Sequence, residues 1–190
     1  MIYLFIALEV FLVMILLLTL ASLILIFISG FVSSGLGAPY VPARRQAIKA
    51  ALSFGGVQKS DIFYDLGCGD GRALICAVKE FGARKAVGYE KSLWPYLKAN
   101  FLIRRLKLRE RAKILYKNFT AADLGEAAFV YIYLFPKIVS RLAYKFEREG
   151  RPGLKILSLD FPIDIQKHPS ISLLKTGKIA KMTAYLYEKI

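Results

Sequence analysis

Ile62-Phe63-Tyr64-Asp65-Leu66-Gly67-Cys68-Gly69-Asp70-Gly71-Arg72 is a short strand-like run that breaks into three glycines at alternate positions. Glycine at such spacing lets the backbone pass very close to a ligand. It also supplies the positive φ that a tight strand-to-helix turn needs. The pattern switches to helical over Arg72–Phe81, and a second strand-like run, Ala86–Tyr89, ends in Glu90, 19 residues past Gly71. A carboxylate at that point stands beside the glycine loop.

Two ligand classes use a glycine turn with a following acid, and the spacing separates them. A dinucleotide fold wants G-x-G-x-x-G, so that a pyrophosphate rests on the helix N-terminus. Here the third glycine arrives one residue early, Arg72 holds the last position, and Asp65 and Asp70 bracket the loop. Two carboxylates repel a pyrophosphate. They suit a ligand carrying a cationic amino group and a sulfonium, with Glu90 accepting hydrogen bonds from ribose hydroxyls. The loop fits S-adenosylmethionine better than NAD.

Outward from the loop, Ile62–Leu66, Ala86–Tyr89, Ile114–Tyr116, Phe129–Leu134 and Leu154–Leu159 read as strands. Arg72–Phe81, Leu93–Arg109 and Lys137–Glu149 read as the intervening helices, with a further helix over Ala43–Leu52 ahead of them. Short strands without polar alternation suit a parallel sheet covered on both faces. Ile171–Leu174 and Ala180–Tyr187 flank Lys175-Thr176-Gly177-Lys178, which predicts an antiparallel hairpin at the sheet edge. The fold class expected is α/β, a mostly parallel twisted sheet with helices on both faces.

The chain averages conflict: a mean hydropathy of +0.44 accompanies a net charge of +14 over 190 residues. Position resolves the conflict. Residues 1–32 contain 27 apolar residues and a single charged side chain, Glu9. All 28 Lys and Arg lie from Arg44 onward, against 13 of the 14 acids, so the remainder carries +15. That split excludes a multi-span membrane protein, a disordered chain and a two-domain soluble enzyme. Val10 to Ile28 is uncharged, and as a helix it would reach about 28 Å, near a bilayer's hydrocarbon thickness. A cleaved signal peptide would want a positive start and a shorter core. The expected organisation is a transmembrane anchor over 1–32, a linker over 33–41 and one globular domain over 42–190. Arg44, Arg45 and Lys49 after the span place that domain on the cytoplasmic side by the positive-inside rule.

Cys68, Cys76 and the single histidine, His168, form neither a metal-ligand pattern nor a disulfide framework, so no metal is expected. His168 precedes Pro169 and reads as a solvated loop residue. One histidine also argues against a triad hydrolase.

The sequence resembles the class I methyltransferases, whose main marks are D-x-G-x-G-x-G after the first strand and an acid after the second. Within that class, the enzymes that methylate base amines of nucleic acids carry an Asn/Asp-Pro-Pro-Tyr/Phe tetrad after the fourth strand. This chain has Tyr133-Leu134-Phe135-Pro136 there, so a nucleic-acid partner is not expected. The layout resembles a narrower group, the membrane-anchored protein-lysine N-methyltransferases that modify the ATP synthase c-subunit and the adenine nucleotide translocase. The matching stretches are Pro39-Tyr40-Val41-Pro42, Asp65–Gly71, Gly88-Tyr89-Glu90, Lys117-Asn118-Phe119, Phe135-Pro136 and Phe161-Pro162. Asn118 stands where that group more usually has an acid, and Asp164 or Ile165 where it tends to have tryptophan.

The resemblance implies a Rossmann-like fold with S-adenosylmethionine as cofactor. Asp65, Gly67, Cys68, Gly69, Asp70, Gly71 and Glu90 would hold it, with Asn118 and Phe119 at the adenine. Phe135 and Pro136 would form the acceptor's lip, and Tyr40 would close over the site from the linker. A lysine amine must lose its proton before attack, because its free pKa is about 10.4. An apolar channel lowers that value without a dedicated base. Asp160, at the end of the fifth strand, and Tyr40 are the candidates for orienting the amine. The acceptor expected is an accessible lysine on a membrane protein. A small or lipid amine is the same-chemistry rival, and a non-catalytic scaffold, to which Asn118 points, is the other. Lys98, Arg104, Arg105, Lys107, Arg109, Arg111 and Lys113 form a basic face that would be drawn to an anionic lipid surface.

Overall fold

The computed structural model of the chain describes residues 2–35 and 43–190, and of 29–35 the backbone only. Tyr40, and with it the Pro39–Pro42 motif, lies outside the described residues. The chain divides into two compact units, Met1–Pro39 and Tyr40–Ile190.

In the first unit, α1 (Ile2–Gly35) continues three residues into the stretch read as linker. Its portion Ile2–Ile28 is, among the described residues, the one helix long and apolar enough to cross a membrane. Between Val10 and Ile28 its polar side chains turn inward to the backbone. Thr19 Oγ1 donates to the Leu16 carbonyl at 2.8 Å and Ser22 Oγ to the Thr19 carbonyl at 2.7 Å. Hydroxyls satisfied within the helix ask nothing of an apolar solvent.

In the second unit the elements run α2 (Arg45–Gly55), β1 (Ile62–Leu66), α3 (Arg72–Lys79), β2 (Lys85–Glu90), α4 (Leu93–Arg105) and β3 (Ala112–Tyr116). After a 3₁₀ turn (Phe119–Ala121) come β4 (Phe129–Ile132), α5 (Pro136–Glu149), β5 (Lys155–Leu159), β6 (Ile171–Ile179) and β7 (Met182–Lys189). Helix α4 stops at Arg105, short of the expected Arg109, because Lys107 takes a left-handed φ of 56°.

The described strands form one sheet in the order β3-β2-β1-β4-β5-β7-β6, parallel except for β7, which runs antiparallel to both neighbours. From β1 the chain steps outward in one direction to β2 and β3, and from β4 in the other direction to β5. Right-handed crossovers then put α3 and α4 on one face and α5 on the other. Strand β4 is buried at every position, as a sheet covered on both faces requires. Ile48, Ala51, Leu52, Leu74, Ala99 and Ile103 cover one face, packed with Phe63, Phe129 and Tyr131. The order reverses between β1 and β4, and ligands of open α/β sheets bind outside the strand carboxyl ends at such a switch point.

Two expectations are corrected. The hairpin turn lies at Ala180–Lys181, beyond Lys175–Lys178, which belong to β6. A register shift between Leu173 and Lys175 lets that polar segment stay paired. Gly177 then faces the ring of Phe54, against which a Cβ would lie at 2.7 Å, and Lys175 stands over the same ring at 4.5 Å. His168 is buried, with 2% exposure, and is not a solvated loop residue. Its loop folds back on α5, where Nδ1 lies 2.9 Å from Glu147 Oε2 and the ring meets Tyr144 edge-on at 4.5 Å. Ser170 Oγ donates to the other Glu147 oxygen at 3.0 Å.

Gly88, in the middle of β2, is required by close approach. A Cβ there would lie 2.6 Å from both Cys68 Sγ and Leu74 Cδ1. Gly88→Ala is expected to lower stability by about 1–3 kcal/mol through overpacking, measured by thermal or denaturant melting in detergent.

Candidate active site

The glycine loop leaves β1 at Leu66 and is fastened to the end of β2. Gly67, Gly69 and Gly71 all take positive φ, at 86°, 53° and 76°. Left-handed backbone at three alternate positions brings successive amides round toward β2, which side chains with a Cβ would resist. The Gly67 and Cys68 amides both donate to the Tyr89 carbonyl, at 2.9 and 3.0 Å, and the Gly71 amide donates to the Cys68 carbonyl at 2.9 Å. Glu90 completes the tie: its Oε2 accepts from the Gly69 amide at 2.9 Å and its Oε1 from the Ser92 amide at 2.7 Å. A carboxylate has about four acceptor positions, so both oxygens keep capacity for ribose hydroxyls.

The two aspartates of the loop have different surroundings. Asp70 faces cations: Arg72 Nε lies 2.8 Å from its Oδ1, and Lys98 Nζ lies 2.9 Å from its Oδ2. Arg72 also donates through a terminal nitrogen to the Ala43 carbonyl at 3.1 Å. Asp70 therefore knits the loop to α4 and, through Arg72, to the start of the domain. Asp65 is the electrostatic opposite. It is 3% exposed, and burial first, then the charges of Glu90 and Asp70, push its carboxyl well above the usual range. A buried carboxyl under that pressure suits a ligand with a cationic group, which would restore its ionised form. Cys68 lies in the same pocket with a thiol raised by burial and by Asp65, so it serves as packing rather than as a nucleophile.

Asn118 follows β3, whose Tyr116 is in register with Glu90. The Lys117 amide donates to the Glu90 carbonyl at 3.1 Å, which sets Asn118 beside the loop. Its Oδ1 accepts from the Thr120 amide at 3.0 Å, capping the 3₁₀ turn that carries Phe119. An aspartate would accept the same bond, so the amide leaves the turn intact.

The strand ends across the switch point hold the other candidates. Phe135 caps the start of α5 and lies 6.1 Å, ring to ring, from Phe161 after β5, with Pro136 opening the helix behind it. Asp160 adopts a left-handed φ of 62°, uncommon for a residue with a Cβ. Thr183 of β7 holds it there: the Asp160 amide donates to the Thr183 carbonyl at 2.7 Å, and Asp160 Oδ1 accepts from the Thr183 amide at 2.9 Å. Burial first, then the negative charge of nearby Asp160, raises the pKa of the Tyr133 phenol. Tyr133 and Thr183 are functional candidates that the sequence did not single out. Tyr133 does occupy the first position of the tetrad after β4, where an amide or acid would signal a base-amine acceptor.

These residues fit S-adenosylmethionine on the structure's own terms, with a close-approach glycine cradle, a buried carboxyl for an ammonium and a second carboxylate with free acceptor positions. The family model for the ANTKMT methyltransferase domain matches residues 65–169, from Asp65 through the end of the loop that follows β5. The chain belongs to that family. A protein-lysine N-methyltransferase of Saccharolobus islandicus is 35% identical over 149 residues, covering 78% of this chain and 92% of the relative. The ATP synthase c-subunit lysine N-methyltransferase of Xenopus laevis is 27% identical over 124 residues, 65% of this chain and 54% of the relative. The chain thus spans about half the length of that vertebrate relative. Among solved structures, an RNA methyltransferase from Salinibacter ruber in complex with S-adenosyl-L-homocysteine superposes with a TM-score of 0.72 at 26% identity. That likeness covers 78% of this chain and 94% of the other. As a member of the ANTKMT methyltransferase family, the protein is an S-adenosylmethionine-dependent enzyme of Rossmann-like fold. Among the described residues no cluster of His, Cys, Asp or Glu could hold a metal ion.

The raised carboxyl of Asp65 has a stability consequence. An acid whose folded pKa exceeds its unfolded value binds its proton more tightly when folded. Stability is then greatest below the unfolded value and falls as pH rises through the folded one. Asp65→Asn, which removes the charge and keeps the shape, is expected to melt above wild type at neutral pH when measured without cofactor. The gap should close as the pH falls toward the ordinary carboxylate range.

Proposed function

We propose that the protein is a membrane-tethered protein-lysine N-methyltransferase acting on a lysine of a membrane protein close to the bilayer surface. The observation that carries the acceptor class is the likeness to the Saccharolobus islandicus protein-lysine N-methyltransferase, which extends over nearly the whole of that relative. The names of the vertebrate relatives point the same way, since their acceptors are the c-subunit of ATP synthase and the adenine nucleotide translocase. The tether is α1, an apolar helix of sufficient length followed by Arg44, Arg45 and Lys49, which sets the catalytic unit on the cytoplasmic side.

S-adenosylmethionine supplies a methyl group already activated on a sulfonium. The protein's work is positioning. Asp65 binds the cofactor's amino group, Glu90 accepts from the ribose hydroxyls, and Asn118 with Phe119 meets the adenine. Gly67, Gly69 and Gly71 allow the backbone to approach, with Cys68 packed behind them and Asp70 holding the loop to α4. The acceptor amine enters beside Phe135, Pro136 and Phe161. An apolar passage disfavours the ammonium and so favours the neutral, nucleophilic amine. Asp160, steadied by Thr183, accepts an amine hydrogen and aims the nitrogen lone pair at the methyl group. Asn118 does not mark the turn as degenerate, because its cap preserves the bond an acid would make.

The test uses full-length protein, isotopically labelled cofactor and membranes from a strain lacking the gene, with the products fractionated into protein, lipid and RNA. Label is expected on lysine in protein, identified by mass spectrometry as one, two or three added methyl groups. Label in lipid or RNA would overturn the acceptor class, and cofactor binding without transfer would support the scaffold. Glu90→Ala is expected to lose transfer, and Asp65→Asn to weaken cofactor binding about ten- to a hundredfold, the worth of one charge-assisted hydrogen bond. Asp160→Asn keeps the acceptor for Thr183. It is expected to lower kcat about tenfold while leaving cofactor Kd unchanged.

A further inference from the structure

Helix α4 is apolar on two opposite sides. Pro95, Ala99 and Ile103, spaced by four, are buried against the sheet. On the far side Leu93, Trp94, Leu97 and Phe101 are 49%, 60%, 48% and 60% exposed. At 3.6 residues per turn, Trp94, Leu97 and Phe101 share one stripe about 60° wide, nearly diametrically across from the buried one. Among the described residues, no packing within the catalytic unit accounts for a second stripe containing the chain's only tryptophan. Contiguous exposed apolar surface of this kind marks an interaction site.

The stripe's border is basic. Arg104 and Arg105 close α4, and Lys107 and Arg109 follow, all exposed. Glu110 is the one acid in that stretch. Large apolar side chains flanked by Lys and Arg, with tryptophan among them, are the composition of a helix lying in a membrane interface. Each basic residue near an anionic leaflet adds attraction, and a covalent tether raises the effective concentration of the surface. The cationic border asks for a negatively charged counterpart, which an anionic leaflet beside the proposed tether supplies.

We propose that α4 is a second membrane contact, lying in the interfacial plane of an anionic leaflet with Trp94, Leu97 and Phe101 at the boundary of headgroups and acyl chains. The inference rests on the tether proposed above and goes beyond it. The tether fixes the chain to a membrane, and α4 fixes how the catalytic unit faces it. Leu93 begins α4 three residues after Glu90, and Lys98 on the same helix grips Asp70 of the glycine loop. The docked helix would therefore hold the cofactor loop at a set height over the bilayer, which suits an acceptor lysine at the headgroup level.

Because Trp94 is the only tryptophan, its fluorescence reports on this face alone. Full-length protein is reconstituted into vesicles of phosphatidylcholine with phosphatidylglycerol, carrying bromine at a shallow or a deep acyl position. The expected result is flotation with the vesicles, a blue-shifted emission, and several-fold stronger quenching by shallow than by deep bromine. Leu97→Glu with Phe101→Glu, both on the exposed stripe, should abolish the shallow quenching while flotation and melting temperature persist. Flotation with Trp94 still open to aqueous iodide would overturn the docking and leave the tether standing. Trp94 shielded from iodide but unquenched by bromolipid would overturn it in favour of a protein partner or a second copy. Failure to float would remove the tether and the docking together.

Discussion

The carbonyl of Tyr89 accepts two backbone donors at once, the amides of Gly67 and Cys68, and Glu90 next to it takes the amide of Gly69. Through these bonds the end of β2 shapes the turn that leaves β1, and the rest of the catalytic unit is arranged to permit it. Gly88 has no side chain, so Cys68 and Leu74 can close over β2. The three loop glycines take the left-handed conformations that direct their amides back toward the strand. The carboxylate that braces the loop keeps further acceptor positions, so the ribose-binding role proposed for Glu90 would draw on lone pairs its structural role leaves over. Asp65 shows the cost of the arrangement: a carboxyl held buried against two others destabilises the fold that contains it, as binding sites commonly do.

Much of this is visible in the sequence because the demands are local. Alternate glycines, a strand before them and an acid after the next strand are each short-range patterns, and they specify the turn, the crossover and the cofactor class together. The parallel strands are equally legible, since Phe129–Ile132 has no polar face to offer. What escapes is whatever depends on a partner distant in sequence. Asp70 looks like a ligand group beside Asp65 until Lys98 and Arg72 are brought to it. His168 looks solvated until α5 supplies Glu147 and Tyr144. The nearness of Tyr133 to Asp160 arises only because β4 and β5 are neighbours and Thr183 of β7 holds Asp160 in a left-handed bend. The polar run Lys175–Lys178 reads as a turn, whereas a bulge and the ring of Phe54 keep it in β6. On α4, helical periodicity is plain, but only the structure tells its buried stripe from its exposed one.

The family likeness and the physical features agree on the donor and divide the remaining question by location. In the proposed reading the cofactor side is built from β1, β2 and the turn after β3, and the acceptor side from the ends of β4 and β5, where aromatic rings and a left-handed aspartate stand in place of the amide-led tetrad of base-modifying enzymes. The two halves would then meet at the switch point between β1 and β4, donor and acceptor approaching from opposite flanks of the sheet.

Arg72 reaches from the glycine loop to the carbonyl of Ala43, the first described residue of the catalytic unit. A bond between a ligand loop and the place where the chain arrives makes the two segments thermodynamically linked. Whatever steadies the loop also steadies the start of the catalytic unit at Ala43, and by reciprocity a fixed start favours the ordered loop. The affinity for the methyl donor is thereby tied to a residue outside the glycine loop, so the donor site extends further along the chain than the residues that would contact the donor.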